Sequence, residues 1–374
     1  MLRLTNIRLE DGTLFPDIEA DDGSDLVSEQ DMGGFIAVPG FVDTHIHGSF
    51  GFDVSDGNAD DILSLAKKLP SFGVSDFLPT LMTLDEESIL KAAEATVKAK
   101  ENLCSYDGAY ANILGLRLEG PFLNPSESGV QNPENLVPAE ELVRIIEKVE
   151  KSFPGLVRII DIAPELNGAY EIVSKYKDRY IFSLGHSDCD YEETKYFFSK
   201  GGNSLTHALN AMRPCLKREP GPLGAAFDTP DSYIEVICDG IHVDQSVLRM
   251  LFKLFEGRII IVSDAMRAGG MPDGIYDLGG TPVESRGGRT YFGPEGNLAG
   301  SVTYLAQEAE RLFSYGIDKT AIINALTVTP MKRLNAVKCG VSGLDHSNLN
   351  FIDDHFRLMC VISRGSLVSS YVML

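Results

Sequence analysis

From Phe41 onward, short apolar runs alternate with longer segments in which apolar residues recur at helical spacing. Short apolar runs are typical of parallel strands covered by helices, and the amphipathic segments are typical of those helices. The eight runs are FVDTHIH, SDFLPTLMT, NILGLRLEG, LVRIIDIAPE, YIFSLGHS, NSLTHALNAM, YIEVICDGIHV and RIIIVSDAM. Eight strand–helix units in succession predict an α/β fold, the (β/α)8 or TIM barrel. A doubly wound open sheet is the alternative, but HIHGSFGFD is a poor match to its glycine-rich phosphate turn.

Both ends of the chain have a different pattern. Residues 1–40 contain short strand-like runs separated by Asp-Gly turns, and the last residues also follow β periodicity. We therefore expect a small β-sandwich domain built from residues 1–40 and 334–374, beside a barrel of residues 41–333. A glycine-rich stretch near 269–300 interrupts the last strand–helix unit and predicts a β-hairpin insertion.

Composition narrows the class of protein. The 374 residues include 54 acidic and 33 basic side chains, for a formal net charge of −21. This balance argues against nucleic-acid and anionic-membrane partners, and it means that an anionic substrate needs a local basic pocket. No apolar run approaches the roughly 18 residues of a membrane span. The six cysteines are scattered, without a C-x-x-C pair. Together these features predict a cytoplasmic enzyme.

Polar residues stand at the ends of five predicted strands. They are His45, His47, Glu119, His186, His207 and Asp264. Singly, each has an ordinary structural role, such as a turn carboxylate, a helix cap or a buried histidine. In a (β/α)8 barrel, however, the carboxyl ends of all strands meet at the rim where active sites form. Four of the seven histidines and two carboxylates at one rim predict a metal site.

The predicted ligands are imidazole and carboxylate, without thiolate. That set suits Zn²⁺, and Fe, Mn, Co or Ni are the alternatives, with one or two divalent ions per chain. A metal ion in such a site activates water and polarises a carbonyl group. The chemistry also needs a group that accepts a proton and returns it to a leaving amine. Asp264 is the candidate for this catalytic role.

The pattern resembles the amidohydrolase superfamily, and within it the family of N-acetylglucosamine-6-phosphate deacetylases. The resemblance rests on an ordered set of motifs from Val38 to about Arg333. They are PGFVDTHIHG, FGVSDFLPTLMT, LEGPFLNP, GHS, THALNAM, REPG, DGIHVD, VSDAM and GNLAGS. Many superfamily members place a carboxylated lysine on the fourth strand. Here that strand offers only an arginine, and Glu119 on the third strand takes the corresponding place.

The resemblance implies removal of the acetyl group from N-acetyl-D-glucosamine 6-phosphate, to give glucosamine 6-phosphate and acetate. It implies Glu119, His186 and His207 as ligands of the main metal, His45 and His47 as ligands of a second, and Asp264 as the catalytic acid and base. Substrate contacts are implied for Val130, Gln131, Asn210, Ala211, Arg218, His242, Leu298, Ala299 and Gly300. It also implies a homodimer. Arg218 has the fork-shaped guanidinium that suits a phosphate group.

Some alternatives stay open at this point. Relatives often carry histidine where Gln131 stands, and this departure leaves the sugar undecided between the glucosamine and galactosamine epimers. A cyclic-amide or amidine hydrolase of the same superfamily is the second interpretation. A sugar-phosphate-binding protein without catalysis is the third, and the complete set of ligands together with Asp264 counts against it.

Overall fold

The computed structural model describes residues 1–24, 28–336 and 347–370. Eight parallel strands form its centre, at the eight positions that the apolar runs predict. They are β1 (Phe41–Ile46), β2 (Val74–Leu81), β3 (Leu116–Glu119), β4 (Val157–Ile162), β5 (Ile181–Leu184), β6 (Gly202–Leu205), β7 (Tyr233–Val236) and β8 (Ile259–Ile261). Almost every residue in them is buried, which explains why the runs lack strand alternation.

The eight strands close into a barrel. β1 pairs with β2, and each later strand pairs in parallel with the one before it. Just beyond β8, Ala265 forms a parallel bridge with Ile46, and the Asp264 backbone N–H donates to the His45 carbonyl at 2.9 Å. The predicted (β/α)8 barrel is therefore confirmed. This closure also brings the end of β8 directly beside the two histidines of β1.

Helices cover the barrel because each carries one apolar face. In the helix Ala139–Ser152, for example, Leu142, Ile145, Ile146 and Val149 are buried. The α-helices are Ala59–Lys68, Glu86–Cys104, Ala139–Ser152, Ala169–Tyr176, Tyr191–Lys200, Gly221–Phe227, Gln245–Leu254, Leu305–Ser314, Lys319–Leu326 and Val328–Arg333. Short 3-10 turns cover Val54–Asp56, Leu69–Phe72, Pro125–Glu127 and Pro133–Asn135. Among the described residues, every helix is too short or too polar to cross a lipid bilayer.

Two further sheets combine strands from both ends of the chain. A six-stranded sheet has the order Ser366–Ser370, Leu358–Ser363, Asn348–Ile352, Ile36–Pro39, Ile7–Arg8, Leu14–Phe15. A three-stranded sheet has the order Ile18–Ala20, Leu2–Thr5, Ser28–Asp31. One hydrophobic cluster, including Leu4, Phe351 and Ile362, joins the two sheets into a sandwich. The exact domain boundaries stay a prediction. Within the terminal segments, residues 25–27, 337–346 and 371–374 lie outside the described residues.

The stretch that interrupts the last strand–helix unit forms a four-stranded antiparallel meander. Its strands are Gly274–Leu278, Thr281–Arg286, Arg289–Phe292 and Asn297–Leu298. Glycines with positive φ occupy its first two turns, at 279–280 and 287–288, where larger residues would be strained. The meander packs on the barrel rim through Leu278 and Val283, against Met82 and Met266. Three short strands, Gly48–Ser49, Phe52–Asp53 and Asn112–Ile113, complete the described elements.

Candidate metal centre and active site

The six polar residues at the strand ends meet at the carboxyl rim of the barrel, in two groups of three. Within each group, the ligand atoms lie within 4.8 Å of one another and every residue is buried. The first group, called here the main triad, is Glu119, His186 and His207. The second, called the β1 triad, is His45, His47 and Asp264. Buried acidic and imidazole groups are costly unless they are paired or bind an ion, so this concentration points to function.

In the main triad, one oxygen of Glu119 is the meeting point. Its Oε1 lies 3.1 Å from His186 Nε2 and 3.0 Å from His207 Nε2. Its Oε2 accepts a hydrogen bond from the Gln131 side-chain amide at 2.5 Å. Three elements that are distant in sequence therefore direct one carboxylate oxygen and two imidazole nitrogens to a single point.

The β1 triad adjoins the main triad. His45 Nε2 and His47 Nε2 lie 3.2 Å apart, because residues i and i+2 of a strand point to the same face. Asp264 Oδ1 lies 3.2 Å from His47 Nε2 and 3.5 Å from His45 Nε2. Glu119 touches both groups, since its Oε2 is 3.3 Å from His47 Nε2. The two triads therefore form one continuous polar cluster.

The outward-facing ring nitrogens show that the cluster suits divalent ions. His186 Nδ1 lies 2.8 Å from the Glu127 carbonyl, and His47 Nδ1 lies 3.1 Å from the Thr80 carbonyl. A carbonyl oxygen only accepts, so each ring carries its proton on Nδ1 and directs the Nε2 lone pair inward. Histidines that bind metal ions are oriented in this way. Imidazole and carboxylate donors also form the sets that divalent transition metals favour.

The side chains around Glu119 and Asp264 lower the pKa values of these two carboxyl groups. Burial alone would raise the pKa of Glu119, but the neighbouring His45, His186 and His207 hold it well below its usual range. Burial likewise acts to raise the pKa of Asp264, yet His45 and His47 lower it. Both carboxyl groups are therefore ionised at neutral pH, as ligands and proton acceptors must be.

Several residues of the cluster have unusual backbone conformations. His186, His207 and Asp264 have φ values of 50°, 29° and 47°. Non-glycine residues seldom adopt positive φ, and such strained conformations concentrate at functional sites. At each of these strand ends, the backbone turns so that the side chain faces the barrel mouth.

A buried ionic network lies beneath the cluster, and sequence reasoning missed it. Arg117 is fully buried and donates to both oxygens of Asp161 and both oxygens of Glu235. It also donates to the Thr44 carbonyl and to the Thr206 hydroxyl. Thr44 and Thr206 directly precede His45 and His207 in the chain. The network therefore links the ligand-bearing strands β1, β3 and β6. Its signal in the sequence is a set of charged residues within apolar runs, namely Arg117, Asp161 and Glu235.

A cavity of about 630 Å³ opens above the two triads. Most of the residues predicted to contact substrate line it, and they are Val130, Gln131, Asn210, Ala211, His242, Leu298, Ala299 and Gly300. His242 is held in place, since its Nδ1 lies 2.8 Å from Asp239 Oδ2. Arg218 differs: it is exposed, in an irregular stretch between β6 and the following helix, and is not among the residues lining the cavity.

The meander supplies one wall of this cavity, and its contribution was not predicted in full. Leu278, Phe292 and Asn297 line the cavity together with Met82, which follows β2. None of these residues stands in a motif with a chemical signal. Their common property is position, since the meander folds back over the rim that carries the ligands.

Comparison with known proteins identifies the family. No protein-family model matches the chain. It is, however, 32% identical to the N-acetylglucosamine-6-phosphate deacetylase of Bacillus subtilis, over 89% of this chain and 84% of that protein. This chain belongs to the N-acetylglucosamine-6-phosphate deacetylase family. The resemblance predicted from the motifs is thereby confirmed.

Other members of the deacetylase family agree with this assignment. The N-acetylgalactosamine-6-phosphate deacetylase of Escherichia coli O157:H7 is also 32% identical, over 85% of this chain and 82% of that protein. Among solved structures, a mutant N-acetyl-D-glucosamine-6-phosphate deacetylase from Mycobacterium smegmatis, in complex with N-acetyl-D-glucosamine-6-phosphate, superposes with a TM-score of 0.85. That pair is 25% identical, and the alignment covers 99% of each chain. Barrel and terminal sandwich thus recur together in this deacetylase family.

The proximity of the two triads leads to a prediction about metal content. We expect the wild type to hold up to two ions per chain, and the double variant His45→Asn/His47→Asn to hold about one. Reduced turnover should remain in the variant, because the main triad and Asp264 are intact. Metal analysis and rate measurement on the same preparation test this. Unchanged stoichiometry in the double variant would show that His45 and His47 bind no ion.

Proposed function

We propose that this deacetylase hydrolyses the acetamide of N-acetyl-D-glucosamine 6-phosphate, giving glucosamine 6-phosphate and acetate. The observation that carries the proposal is the joint position of the two triads at the base of a cavity lined by the predicted substrate residues. Hydrolysis adds water across the C–N bond, so the oxygen of water goes to acetate and its protons go to the new amine and to solvent. Relatives of the same family carry this activity in their names.

Asp264 is proposed as the proton carrier of the reaction. Its carboxylate is ionised before reaction and faces the cavity, so it can accept a proton from the attacking water. The same carboxyl group then gives the proton to the leaving amine, which cannot depart as an anion. The backbone holds Asp264 from both sides, because its N–H donates to His45 and its carbonyl accepts from Ser301. This double anchor keeps the side chain aimed at the reacting bond.

The metal is proposed to be zinc, held chiefly by Glu119, His186 and His207, with a second ion at His45 and His47. A bound divalent ion supplies Lewis acidity, which lowers the pKa of water and polarises the acetamide carbonyl. The carbonyls behind His186 and His47 keep the ring nitrogens aimed inward. Reconstitution of metal-free enzyme with Zn²⁺, Fe²⁺, Mn²⁺, Co²⁺ and Ni²⁺ in turn identifies the preferred ion.

The sugar is proposed to lie along the cavity wall formed by Asn210, Ala211 and His242 on one side and 298–300 on the other. Asn210 and His242 offer polar groups for hydroxyl and phosphate oxygens, and Leu298 and Ala299 offer an apolar surface for the ring. The galactosamine epimer is the second candidate substrate, because an N-acetylgalactosamine-6-phosphate deacetylase is equally identical to this chain.

A substrate panel tests the function. Metal-reconstituted enzyme is assayed with the N-acetylated 6-phosphates of glucosamine, galactosamine and mannosamine, and with a cyclic amide. We expect the highest kcat/KM with the glucosamine compound. A preference for the galactosamine compound would establish the second candidate. Turnover of the cyclic amide alone, or no turnover at full metal loading, would overturn the proposal.

Arg218 is proposed to bind the substrate phosphate. Among the described residues, no lysine or arginine lines the cavity, and Arg218 is exposed on the stretch that leads from Ala211 to the next helix. We expect Arg218→Ala to lower kcat/KM for the phosphorylated sugar by roughly 10- to 100-fold, because a charge-assisted hydrogen bond is lost. The unphosphorylated sugar should be handled as by wild type. Lys217→Ala is the matched control, and equal losses on both sugars would remove Arg218 from the phosphate site.

We also propose that the enzyme works as a homodimer in the cytoplasm. The described cysteines Cys104, Cys189, Cys215, Cys238 and Cys360 are unpaired, which suits a reducing compartment. A phosphorylated sugar is moreover a substrate of that compartment, and the formal charge of −21 argues against nucleic acid as a partner. Sedimentation of the purified chain tests the dimer, and fractionation of the native cell tests the location.

A further inference from the structure

Gln131 has an environment that differs from that of the other polar residues predicted to contact substrate. It lies in the long loop between β3 and the helix Ala139–Ser152, yet only 2% of it is exposed. Both ends of its side-chain amide have protein partners. A side chain that waits for a substrate normally keeps at least one polar group free to meet it, so the burial of this amide calls for another role.

The orientation of the amide follows from its partners. The backbone N–H of Thr83 can only donate, and it lies 2.7 Å from Gln131 Oε1. The NH2 group of Gln131 must therefore face the opposite way, where it donates to Glu119 Oε2 at 2.5 Å. The second hydrogen of this group is directed to Met82 Sδ at 3.8 Å. All the hydrogen-bonding groups of the amide are thus occupied within the protein.

Thr83 also holds Glu119 through a second hydrogen bond. Its hydroxyl donates to the Glu119 backbone carbonyl at 3.0 Å, while its backbone N–H holds Gln131. Thr83 thereby fixes Glu119 at the main chain directly and at the side chain through Gln131. Glu119 Oε1 then faces His186 and His207, while Oε2 contacts Gln131 and His47.

We infer that Gln131 is a positioning residue for Glu119, which orients this carboxylate so that one oxygen serves the main metal. The inference rests on the proposed function, since it takes Glu119 as a metal ligand. By occupying Oε2, the amide stops the carboxylate from rotating and from turning both oxygens to one ion. It also holds a neutral donor against the carboxylate, which stabilises the ionised form that a ligand requires.

The variant Gln131→Leu tests the inference, since it keeps the bulk of the side chain and removes both polar ends. In substrate-free protein, we expect the affinity of the main site for Zn²⁺ to fall by about 10- to 100-fold, as measured by competition with a chelator. We also expect the visible spectrum of the Co²⁺-loaded variant to differ from that of wild type at saturating metal. Gln131→Met, which is unbranched, replaces this variant if the leucine variant fails to fold.

Asn135→Leu is the matched control. Asn135 lies in the same loop and donates to the Thr83 carbonyl at 3.2 Å, but it makes no contact with Glu119 among the described hydrogen bonds. Its variant should keep wild-type affinity and spectrum. Unchanged affinity and spectrum in Gln131→Leu, with a raised KM for the sugar phosphate, would overturn the inference and make Gln131 a substrate contact. Because the metal assays contain no substrate, they stand even if the proposed substrate is wrong.

Discussion

Replacing Asp264 with asparagine is expected to abolish nearly all turnover while leaving metal at the main triad. The two side chains have the same shape, and asparagine can still accept a hydrogen bond. An amide cannot carry a proton from water to the leaving amine, however, so kcat should fall by about 10²- to 10⁴-fold. Steady-state rates and metal analysis of the same preparation measure the two effects separately.

Asp107→Asn is a suitable control, because Asp107 is an exposed aspartate in the loop after the helix Glu86–Cys104. It should retain wild-type rate and metal content. An active Asp264→Asn enzyme, combined with an inactive His45→Asn/His47→Asn enzyme, would reverse the division of roles between these residues.

The second large effect is expected at the main triad. Glu119→Gln, His186→Ala and His207→Ala should each lower metal content and activity in parallel, because each removes one of three ligands at the same point. Adding excess metal should restore part of the activity, since the two remaining ligands still bind an ion weakly. Metal analysis after dialysis, and rates across a metal titration, measure the two quantities.

His355, an exposed histidine among the described residues, offers a control for the loss of an imidazole. His355 lies in the loop before Leu358–Ser363, in the terminal sandwich, and His355→Ala should leave both quantities unchanged. Full metal content and full activity in any one of the three main-triad variants would remove that residue from the ligand set.

The barrel and the position of its ligands could be predicted because two simple geometric rules apply to them. The first is the period of the strands, which places His45 and His47 on one face of β1. The second is the common edge of parallel strands, which gathers Glu119, His186, His207 and Asp264 at one rim. Both rules depend only on the local pattern of each strand. They can therefore be applied without knowing which distant residues contact one another.

The residues that hold the metal ligands in place could not be predicted, because their role depends on contacts between residues distant in the sequence. Arg117 stands in an apolar run, and the sequence does not show that Asp161 and Glu235 face it from β4 and β7. Gln131 lies in a loop without periodicity, so its contact with Glu119 follows only from the folded path of that loop. In both cases the sequence shows the residue type but not the residue that it contacts in the folded protein.

The meander could be predicted as a β-hairpin insertion, but its four strands and its packing on the rim could not. Its glycine pairs indicated turns, yet the sequence does not specify which side of the rim it folds over. The structure places Leu278 and Phe292 in the cavity wall and leaves Ile275 70% exposed. Alternation of inward and outward residues along these strands is clear only once the direction of folding is known.

The pairing of the strand Ile36–Pro39 with Asn348–Ile352 has a consequence for the newly made protein. About 300 residues separate the two strands in the chain. At typical rates of synthesis, the first strand leaves the ribosome roughly 15 to 60 s before its partner exists. During that time its edge is unpaired and open to other chains. Nascent polypeptides that stop before residue 348 should therefore aggregate or recruit chaperones more readily than the full chain.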